Sequence, residues 1–530
     1  MFEILLFVVI VLLAKLFFDY GYQYEDYFKD KGIKYLKPYF LIGNSGNLFT
    51  RRKTLKDMLI DIYFKFPEEK LFGSFEFRSP RVVLRDPELV KQLAVKEFDH
   101  FSTRRSVVSA DDEPVFGNSL LSLNGEKWKE MRSTLSPAFT GSKMRLMFGL
   151  MSECAKQMVV FLNKVTKEKG PPTYEMKDFS SKMGTDIIAT CAYGIQVNSL
   201  EHQDNEFYVN AKEMLNITKP LRLARVILFF IFPKLCKNLG ISIFPKHIIE
   251  YFRNVIMATI TYREKNNVYR PDMIQLLMEA KKGKLAHNAN ENDSAGFATV
   301  EESHHGKRTG KKDLSDADIF SQCILFFVAG YETISTTFSF TCYELAVNPD
   351  VQDKLFEEIR NANEELGEKS LDYDTLQKMK YLDMVVTEDL RKWPGMGFVD
   401  RKCTKEIVID DGKGLRFEFV KDDTFVVPVF GFHYDPQYFP NPDKFDPERF
   451  SDENKHKIVP GTYLPFGVGP RNCIGSRFAL VEIKVLLYYL ILNFKIEATE
   501  KTQIPLKLTK DPIMKPEKGI WVQLTPRSQP

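Results

Sequence analysis

The sequence lacks the features that would indicate a disulfide scaffold, a zinc site or a nucleic-acid binder. Its 530 residues include seven cysteines, an odd number with no C-x-x-C pair, and only three tryptophans. That pattern disfavours a disulfide framework and a zinc site, and it fits a reducing compartment. The formal net charge is only +3, and no basic stripe stands out, so we expect no nucleic-acid partner.

Apolar residues are abundant and indicate a large interior. They make up 44% of the chain, and phenylalanine alone contributes 44 residues. Most apolar residues follow helical spacing, while short β-branched runs at 81–84, 406–409 and 424–429 predict strands. The expected fold is therefore mainly helical with small sheets. Most of the following six cysteines are predicted to be inert, small apolar side chains: Cys154, Cys191, Cys236, Cys323, Cys342 and Cys403.

The N-terminus is predicted to be a membrane anchor. Residues 1–20 are nearly all apolar, and Lys15 can extend its charge to the membrane interface. A cleaved signal peptide is the alternative, but no small-residue cleavage site follows. Lysines and arginines collect after the anchor, which favours a cytosolic body. We therefore expect an anchor at 1–20, a linker at 21–38 and one domain at 39–530.

Two internal segments have unusual composition. Residues 281–312 are polar and nearly free of large apolar side chains, which predicts a mobile surface loop. Residues 226–235, VILFFIFPKL, are apolar on all sides but too short to span a bilayer. They are predicted to be either a buried helix or a second contact with the membrane surface.

The stretch PFGVGPRNCIG, residues 465–475, surrounds one thiol with turn-forming residues. Cys473 precedes a strongly apolar helix, whose positive N-terminal end favours a thiolate. Arg471 nearby can pair with an anion, and the glycines leave room for a flat body to approach. A rigidly held thiolate is a soft metal ligand. A catalytic nucleophile is the rival interpretation, but no histidine lies near in sequence to act as its base.

This stretch resembles the haem-binding loop of the cytochrome P450 family. Phe466, Gly467, Gly469, Arg471, Cys473 and Gly475 match its F-x-x-G-x-R-x-C-x-G pattern. The resemblance implies haem b with Cys473 as axial thiolate ligand to the iron, bordered by Phe466, Gly467 and Gly475. It also implies one large mainly α-helical domain with small β-sheets (α+β), including a minor β-rich portion near the N-terminus.

A second motif, Ala329–Thr333, lies in a long apolar helix. The Thr333 hydroxyl can bond back to the Ala329 carbonyl and loosen the helix. A structural threonine would look the same in isolation. The resemblance implies that Ala329 borders the haem, that oxygen binds in this groove, and that Glu332 and Thr333 relay protons. Ile334 departs from the family pattern, which usually has a second hydroxyl there.

Two further motifs complete the match. Glu388 and Arg391 resemble the family's E-x-x-R pair, which binds a later arginine, here Arg449, and supports the cysteine side. Asp389 between them is expected to face solvent. The resemblance also implies that five residues contact the haem propionates, for which the planar guanidinium is well suited: Trp128, Arg132, Arg401, Arg471 and, less directly, Arg104.

The implied substrate pocket is the least patterned part of the sequence. Phe116, Phe326, Phe398 and Ile513 come from segments that border substrate in the family. Gly395 and Gly397 stand where relatives commonly have prolines and an apolar pair, so the substrate cannot be inferred from relatives there.

The chain is most similar to insect microsomal members related to vertebrate drug-metabolising ones. The implied activity is hydroxylation or epoxidation of lipophilic small molecules with O2, at the cytosolic face of the endoplasmic reticulum membrane. No G-x-G-x-x-G fingerprint for a dinucleotide occurs, so electrons are expected from NADPH-cytochrome P450 reductase, with cytochrome b5 as a further partner. The alternatives are a haem-thiolate isomerase, a haem-binding gas sensor and a membrane-anchored lipid-binding protein.

Overall fold

The computed structural model describes residues 11–12, 15, 21–22, 26–46, 51–105, 113–215, 222, 225, 228, 233–239, 241–283, 295–300, 314–511 and 513–527. The predicted anchor therefore lies outside the described residues except at three positions. Most of 226–235, and residues 284–294 and 301–312 of the predicted surface loop, also lie outside the described residues.

Helices dominate the described part of the chain. In chain order they are α1 (Tyr27–Asp30), α2 (Leu55–Tyr63), α3 (Pro87–Lys91), α4 (Pro114–Gly117), α5 (Gly125–Leu135), α6 (Gly141–Lys169), α7 (Met176–Ile188), α8 (Glu206–Leu215), α9 (Pro233–Asn238), α10 (Lys246–Asn266), α11 (Met273–Lys281), α12 (Asp316–Val347), α13 (Pro349–Leu366), α14 (Tyr373–Lys378), α15 (Lys380–Lys392), α16 (Val429–His433) and α17 (Ser476–Asn493).

The strands form small sheets, which agrees with the predicted fold class. They are β1 (Leu71–Glu76), β2 (Ser79–Leu84), β3 (Thr173–Glu175), β4 (Phe398–Lys402), β5 (Ile407–Asp410), β6 (Arg416–Phe419), β7 (Thr424–Pro428), β8 (Phe494–Ala498) and β9 (Trp521–Pro526). The three predicted strands correspond to β2, β5 and β7, and are confirmed.

The largest described sheet joins distant parts of the chain. Its order is β1-β2-β7-β4, with β1 and β2 antiparallel, β2 and β7 parallel, and β7 and β4 antiparallel. The remaining strands form a sheet of order β3-β9-β8 and the hairpin β5-β6. The sheet that includes the N-terminal hairpin thus carries residues from near 400, which brings Arg401 of β4 toward the cysteine loop.

Helix α12 forms the centre of the helical core. Ser315 and Asp318 form a capping box at its start, and α7, α15 and α17 pack against it. Among the described residues it is the one helix long and apolar enough to cross a membrane, but 67% of its most apolar window is buried inside the protein. Its apolar character is therefore explained by its place in the core.

The predicted linker, residues 21–38, packs against the body where it is described. Phe28 is fully buried, and Lys31 pairs with Asp423 at 3.1 Å. The Leu36 amide donates to the Gly73 carbonyl at 2.9 Å. The aromatic side chains of this segment thus cover an apolar surface of the body.

Candidate functional site

The Cys473 loop presents its thiol as predicted. The Cys473 amide donates to the Phe466 carbonyl at 2.9 Å, which closes the loop just before α17. Gly469 has a φ of +71°, and a Cβ there would lie 2.0 Å from the Ala94 carbonyl oxygen, so glycine is required. Cys473 is the one exposed cysteine, while the other six are buried.

Opposing effects act on the pKa of the Cys473 thiol. Burial among protein groups raises the pKa of the thiol, although the Gly475 backbone amide and the charges of Arg132 and Arg104 lower it. The helix N-terminus therefore does not suffice to favour a thiolate, because desolvation outweighs it. A bound metal cation would supply the missing positive charge, since a coordinated thiol loses its proton.

Arg471 and Trp128 are stacked beside the loop. The Arg471 guanidinium lies 4.5 Å from the centroid of the Trp128 ring, a cation–π distance. Arg471 also donates to the carbonyls of Ser102 at 2.8 Å and Leu123 at 2.6 Å. Arg132, one turn after Trp128 on α5, donates to the Asn472 carbonyl at 3.0 Å. The face of α5 that carries Trp128 and Arg132 is thus directed at the Cys473 loop.

Arg104 and Arg401 complete a cluster of four guanidinium groups. Arg104 donates to the Arg471 carbonyl, and Arg401 donates to the Val468 carbonyl, both at 2.9 Å. Burial, and then the charge of Arg104, lower the pKa of Arg401 to about 9. Burial, and then the charges of Arg104 and Arg401, lower that of Arg471 to about 8. The cluster therefore carries more positive charge than its protein surroundings balance.

The arginine cluster and the thiol fit haem. The Nε groups of Arg104 and Arg401 are buried and meet no hydrogen-bond acceptor. Carboxylates are the natural partners of such groups. An accessible thiol beside four guanidinium groups matches a ligand with a soft metal at its centre and two carboxylates at its edge.

The predicted E-x-x-R contacts are present on the other side of the loop. Arg391 binds Glu388 with two hydrogen bonds, at 2.7 and 2.9 Å, and both side chains are fully buried. Arg449 Nε lies 3.4 Å from the same carboxylate. Arg391 also donates to the carbonyls of His433 at 2.9 Å and Pro442 at 2.7 Å. The pair therefore joins α15 to the segment that precedes the loop.

His433 belongs to this scaffold, but sequence reasoning missed it. Its Nε2 accepts from the Leu464 amide at 2.8 Å, and its Nδ1 lies 2.9 Å from the Arg391 carbonyl. Burial lowers its pKa to about 3, so the ring is neutral, with the proton on Nδ1. A lone histidine in the apolar run VVPVFGFH was the available signal.

Asp389 is buried, which corrects the expectation that it faces solvent. It is fully inaccessible, and burial, followed by the charge of Glu344, raises its pKa well above the usual range. Glu344 itself accepts from Trp393 Nε1 at 2.8 Å and pairs with Lys392 at 2.9 Å. The expectation failed because α15 is packed on most of its circumference, so a position between two buried residues is also covered.

The Ala329–Thr333 motif opens a strip on the otherwise buried α12. Ala329 and Thr333 are exposed, while the neighbouring Ile334 is 3% exposed. Thr333 Oγ1 donates to the Ala329 carbonyl at 2.6 Å, which confirms the predicted back-bond. Ile334 therefore points into the core, and its lack of a hydroxyl does not alter the strip.

Glu332 is held by a lysine that the sequence gave no reason to select. Lys177, in the first turn of α7, lies 2.9 Å from Glu332 Oε1. The same ammonium donates to Ser335 Oγ and Thr336 Oγ1, both at 2.7 Å. Burial lowers the pKa of Lys177, and Glu332 opposes that shift. Lys177 thus fixes the carboxylate on the side of α12 next to the Thr333 strip.

Gly395 and Gly397 serve different needs. A Cβ at Gly397 would lie 2.7 Å from Leu59 Cδ1 and 3.0 Å from Phe430 Cδ2, so close packing excludes a side chain. A Cβ at Gly395 would lie 3.7 Å from Thr333 Cβ, an ordinary contact. Gly395 therefore leaves open space beside Thr333.

The predicted substrate-lining residues are distributed around this region. All four are partly buried. Phe326 lies on the α12 strip, 5.4 Å from the ring of Phe139. Phe116 lies 6.0 Å from the ring of Phe244, Phe398 packs against an apolar cluster with Phe430, and Ile513 follows the C-terminal strand β8.

Phe139 connects the two sides of the site. Its ring lies 3.9 Å from where a Cβ of Gly475 would be, and it also contacts Phe326 of α12. The Cys473 loop and the Thr333 strip are therefore neighbours of one aromatic side chain. Sequence reasoning missed Phe139, because nothing local distinguishes it from the other phenylalanines.

Comparison with known proteins agrees with this geometry. The family model for cytochrome P450 matches residues 35–524. The chain is 42% identical to probable cytochrome P450 9f2 of Drosophila melanogaster, over 98% of this chain and 99% of that protein. It is 41% identical to cytochrome P450 9e2 of Blattella germanica, over 98% and 97%.

A vertebrate relative also matches nearly end to end. Cytochrome P450 3A41 of Mus musculus is 36% identical over 98% of this chain and 96% of that protein. The predicted similarity to insect members related to vertebrate ones is thus confirmed. The chain belongs to the cytochrome P450 family of haem-thiolate monooxygenases.

Proposed function

We propose that this enzyme hydroxylates or epoxidises lipophilic small molecules with electrons from NADPH-cytochrome P450 reductase. The observation that carries the proposal is the accessible Cys473 thiol beside four guanidinium groups, with Phe139 joining its loop to Phe326 of α12, the helix that carries the open strip at Thr333. The predicted alternatives lack support of this kind. A lipid-binding protein has no need of the arginine cluster, and a peroxide isomerase has no need of an acid and a threonine in the strip.

Cys473 is the proposed iron ligand, and Arg104, Arg132, Arg401, Arg471 and Trp128 are the proposed partners of the two propionates. Haem bound here supplies activation of O2 and transfer of one oxygen atom to substrate, with the other leaving as water. The protein residues bind and orient this group. Phe466, Gly467, Gly475 and Ala329 are proposed to border its faces.

Thr333 and Glu332 are proposed to supply the two protons that the reaction consumes. The Thr333 hydroxyl donates to the Ala329 carbonyl, so its oxygen remains free to accept a hydrogen bond from a water molecule that carries the proton. Glu332 is anchored by Lys177 and is 42% exposed, so its carboxylate reaches solvent on one side. We infer that Glu332 takes protons from solvent and Thr333 presents them at the strip.

Substrates are proposed to be apolar, because the residues assigned to the pocket are. Phe116, Phe326, Phe398 and Ile513 offer rings and aliphatic carbon, which bind by exclusion of water rather than by directed hydrogen bonds. Such a surface accepts many molecules. Plant toxins and insecticides are the first candidates, given the similarity to insect proteins, and endogenous lipids are the second.

Residues 1–20 are proposed to hold the enzyme in the endoplasmic reticulum membrane with its body in the cytosol. Cytochrome b5 is proposed as an additional electron donor. Basic residues of α5 are candidates for binding an acidic partner. Lys129 already pairs with Glu126 at 3.0 Å and Asp99 at 3.7 Å, which leaves the exposed Lys127 as the better candidate.

A reconstituted assay tests the proposed function. The full-length protein with purified reductase is screened against a diverse lipophilic panel for spectral shifts, and the binders are then assayed for NADPH consumption and for oxygenated product from labelled O2. We expect labelled product that requires the reductase. Shifts without NADPH-dependent product for any binder would favour a gas sensor or carrier, and reductase-independent rearrangement of peroxides would favour an isomerase.

A further inference from the structure

A six-residue segment within the predicted surface loop packs on the body of the protein. Residues 295–300 read AGFATV, and Ala295 and Ala298 are 0% and 4% exposed. The segment also folds on itself, since the Ala295 amide donates to Thr299 Oγ1 at 3.0 Å and the Thr299 amide donates to the Gly296 carbonyl at 3.1 Å. We call these residues the docked segment.

A buried ion pair receives the docked segment. Lys484, in the middle of α17, is fully buried and lies 2.8 Å from Asp383 of α15. Its ammonium donates to the Ala295 carbonyl at 2.7 Å, while Asp383 accepts from the Phe297 amide at 2.9 Å. Lys484 and Asp383 thus each form a hydrogen bond with the backbone of the segment. A buried ion pair is favourable only when such additional hydrogen bonds are present.

The Phe297 ring connects the docked segment to the residues that precede the cysteine loop. It lies 5.5 Å from the ring of Tyr463 and 5.1 Å from that of Phe450, and those two rings are 5.2 Å apart. The ring of Tyr463 also stacks on His433 at 5.5 Å. One aromatic cluster therefore spans the segment, Tyr463 and the neutral histidine of the E-x-x-R scaffold.

Tyr463 and its neighbour fix the beginning of the loop. The Tyr463 hydroxyl donates to the Thr387 carbonyl at 2.9 Å, and the Leu464 amide donates to His433 Nε2 at 2.8 Å. Leu464 in turn accepts from the Gly467 amide at 3.1 Å. The path from Phe297 to the loop is thus a short series of direct contacts with no gap.

We propose that the docked segment is a positioning element, which braces residues 463–467 from outside and so keeps the Cys473 loop in its ligating conformation. The proposal rests on the proposed role of Cys473 as iron ligand. It gives a function to part of a segment whose composition otherwise predicts only a surface loop.

Two glycine substitutions provide the test and its control. Gly296 has a φ of +131°, and a Cβ there would lie 1.8 Å from Asp383 Oδ1 and 2.9 Å from Lys484 Nζ, so Gly296→Ala should expel the segment. Gly283 also has a positive φ, +66°, but nothing lies within 4 Å of its Cβ position. Gly283→Ala therefore adds the same methyl group, at another left-handed position, without a clash. Phe297→Ala is a milder variant that removes only the ring.

The readouts are hydrogen exchange in the haem-loaded protein and the decay of the thiolate absorption band of its reduced carbon monoxide adduct. In Gly296→Ala we expect faster exchange at 295–300 and at 463–467. We also expect decay of the thiolate band about fivefold faster, for loss of the ring contacts and hydrogen bonds. Phe297→Ala should change both readouts in the same direction but less, and Gly283→Ala should match the unsubstituted protein.

Each other outcome is decisive. Rapid exchange at 295–300 in the unsubstituted protein would overturn docking. Faster exchange at 295–300 with unchanged exchange at 463–467 and unchanged decay would overturn the bracing role. If the unsubstituted protein has no thiolate band at all, the proposed function fails, while exchange at 463–467 in the variants still decides whether the segment braces the loop.

Discussion

The two sides of the site are built on opposite principles. The Cys473 side is closed by hydrogen bonds that hold the loop, the arginine cluster and the Glu388–Arg391 pair, although the Nε groups of Arg104 and Arg401 meet no acceptor within the protein. The Thr333 side is open, since small residues at 329 and 395 leave space and apolar side chains surround it. A group that is always the same can be held by directed bonds, whereas varied substrates need a surface that imposes few of them.

On the closed side, substitution of the Cys473 thiol should have the largest effect on activity. Cys473→Ser should lower product formation by more than about 100-fold, because a hydroxyl is a poor soft-metal donor and does not supply thiolate electron density. Product formation and the absorption spectrum of the purified protein are the measurements. Cys342→Ser, at a buried position on α12, is the control and should retain the spectrum. An unchanged absorption spectrum in Cys473→Ser would show that this thiol is not the iron ligand, and the contrast between the two sides would no longer hold.

Substitution in the Glu388–Arg391 scaffold behind the loop should have the next largest effect. Arg391→Leu removes the closer of the two arginine partners of the buried Glu388 and should cost about 3–5 kcal/mol of unfolding free energy. Arg360→Leu is the matched control, since Arg360 pairs with Glu357 at the same i,i+3 spacing but on the surface, where less than about 1 kcal/mol is expected. Denaturant titration compares the two. Equal losses of unfolding free energy in the two variants would indicate that burial does not strengthen the Glu388–Arg391 pair.

On the open side, Thr333 should affect chemistry more than stability. Thr333→Ala should raise the NADPH consumed per product by roughly 10-fold or more, because the hydroxyl proposed to present protons is lost. Thr341→Ala is the control, since Thr341 makes the same back-bond, to Thr337 at 2.9 Å, but is buried. The ratio of NADPH consumed to product formed is the measurement. If both variants are equally uncoupled, helix distortion rather than the hydroxyl is responsible.

Gly395 should give the most selective effect, since only bulky substrates are expected to lose activity. Gly395→Val fills space beside Thr333 and should weaken bulky substrates by about 1–3 kcal/mol, roughly 10- to 200-fold in kcat/KM, with little change for small ones. Gly149→Val, on α6 with nothing near its Cβ position, should leave both unchanged. The measurement is kcat/KM for a series of substrates of increasing size. A uniform loss across the series would place Gly395 outside the pocket.

The same contrast explains what the sequence could reveal. The Cys473 loop was predictable because its turn residues and its thiol form a long local pattern, and the E-x-x-R pair was predictable through the resemblance to the family. The strands at β2, β5 and β7 were predictable from β-branched runs. Lys177, His433 and Phe139 were not predictable, because no local sequence pattern distinguishes them. Lys177 and Phe139 contact residues more than a hundred positions away, and His433 contacts residues on other elements of the fold.

Composition misled where tertiary contacts decide. Asp389 is an acidic residue yet buried, because α15 is enclosed on most sides. Residues 27–36 and 295–300 are short and read as connecting segments, yet both lie against the body, where backbone groups meet partners supplied by distant elements.

The most direct test of the central claim is the absorption spectrum of the carbon monoxide adduct of the intact, reduced protein. If Cys473 binds the iron as an anion, the adduct will show the long-wavelength band of thiolate-ligated haem, and Cys473→Ser will lack it. A band typical of imidazole ligation, or a purified protein that retains no haem, would contradict the account.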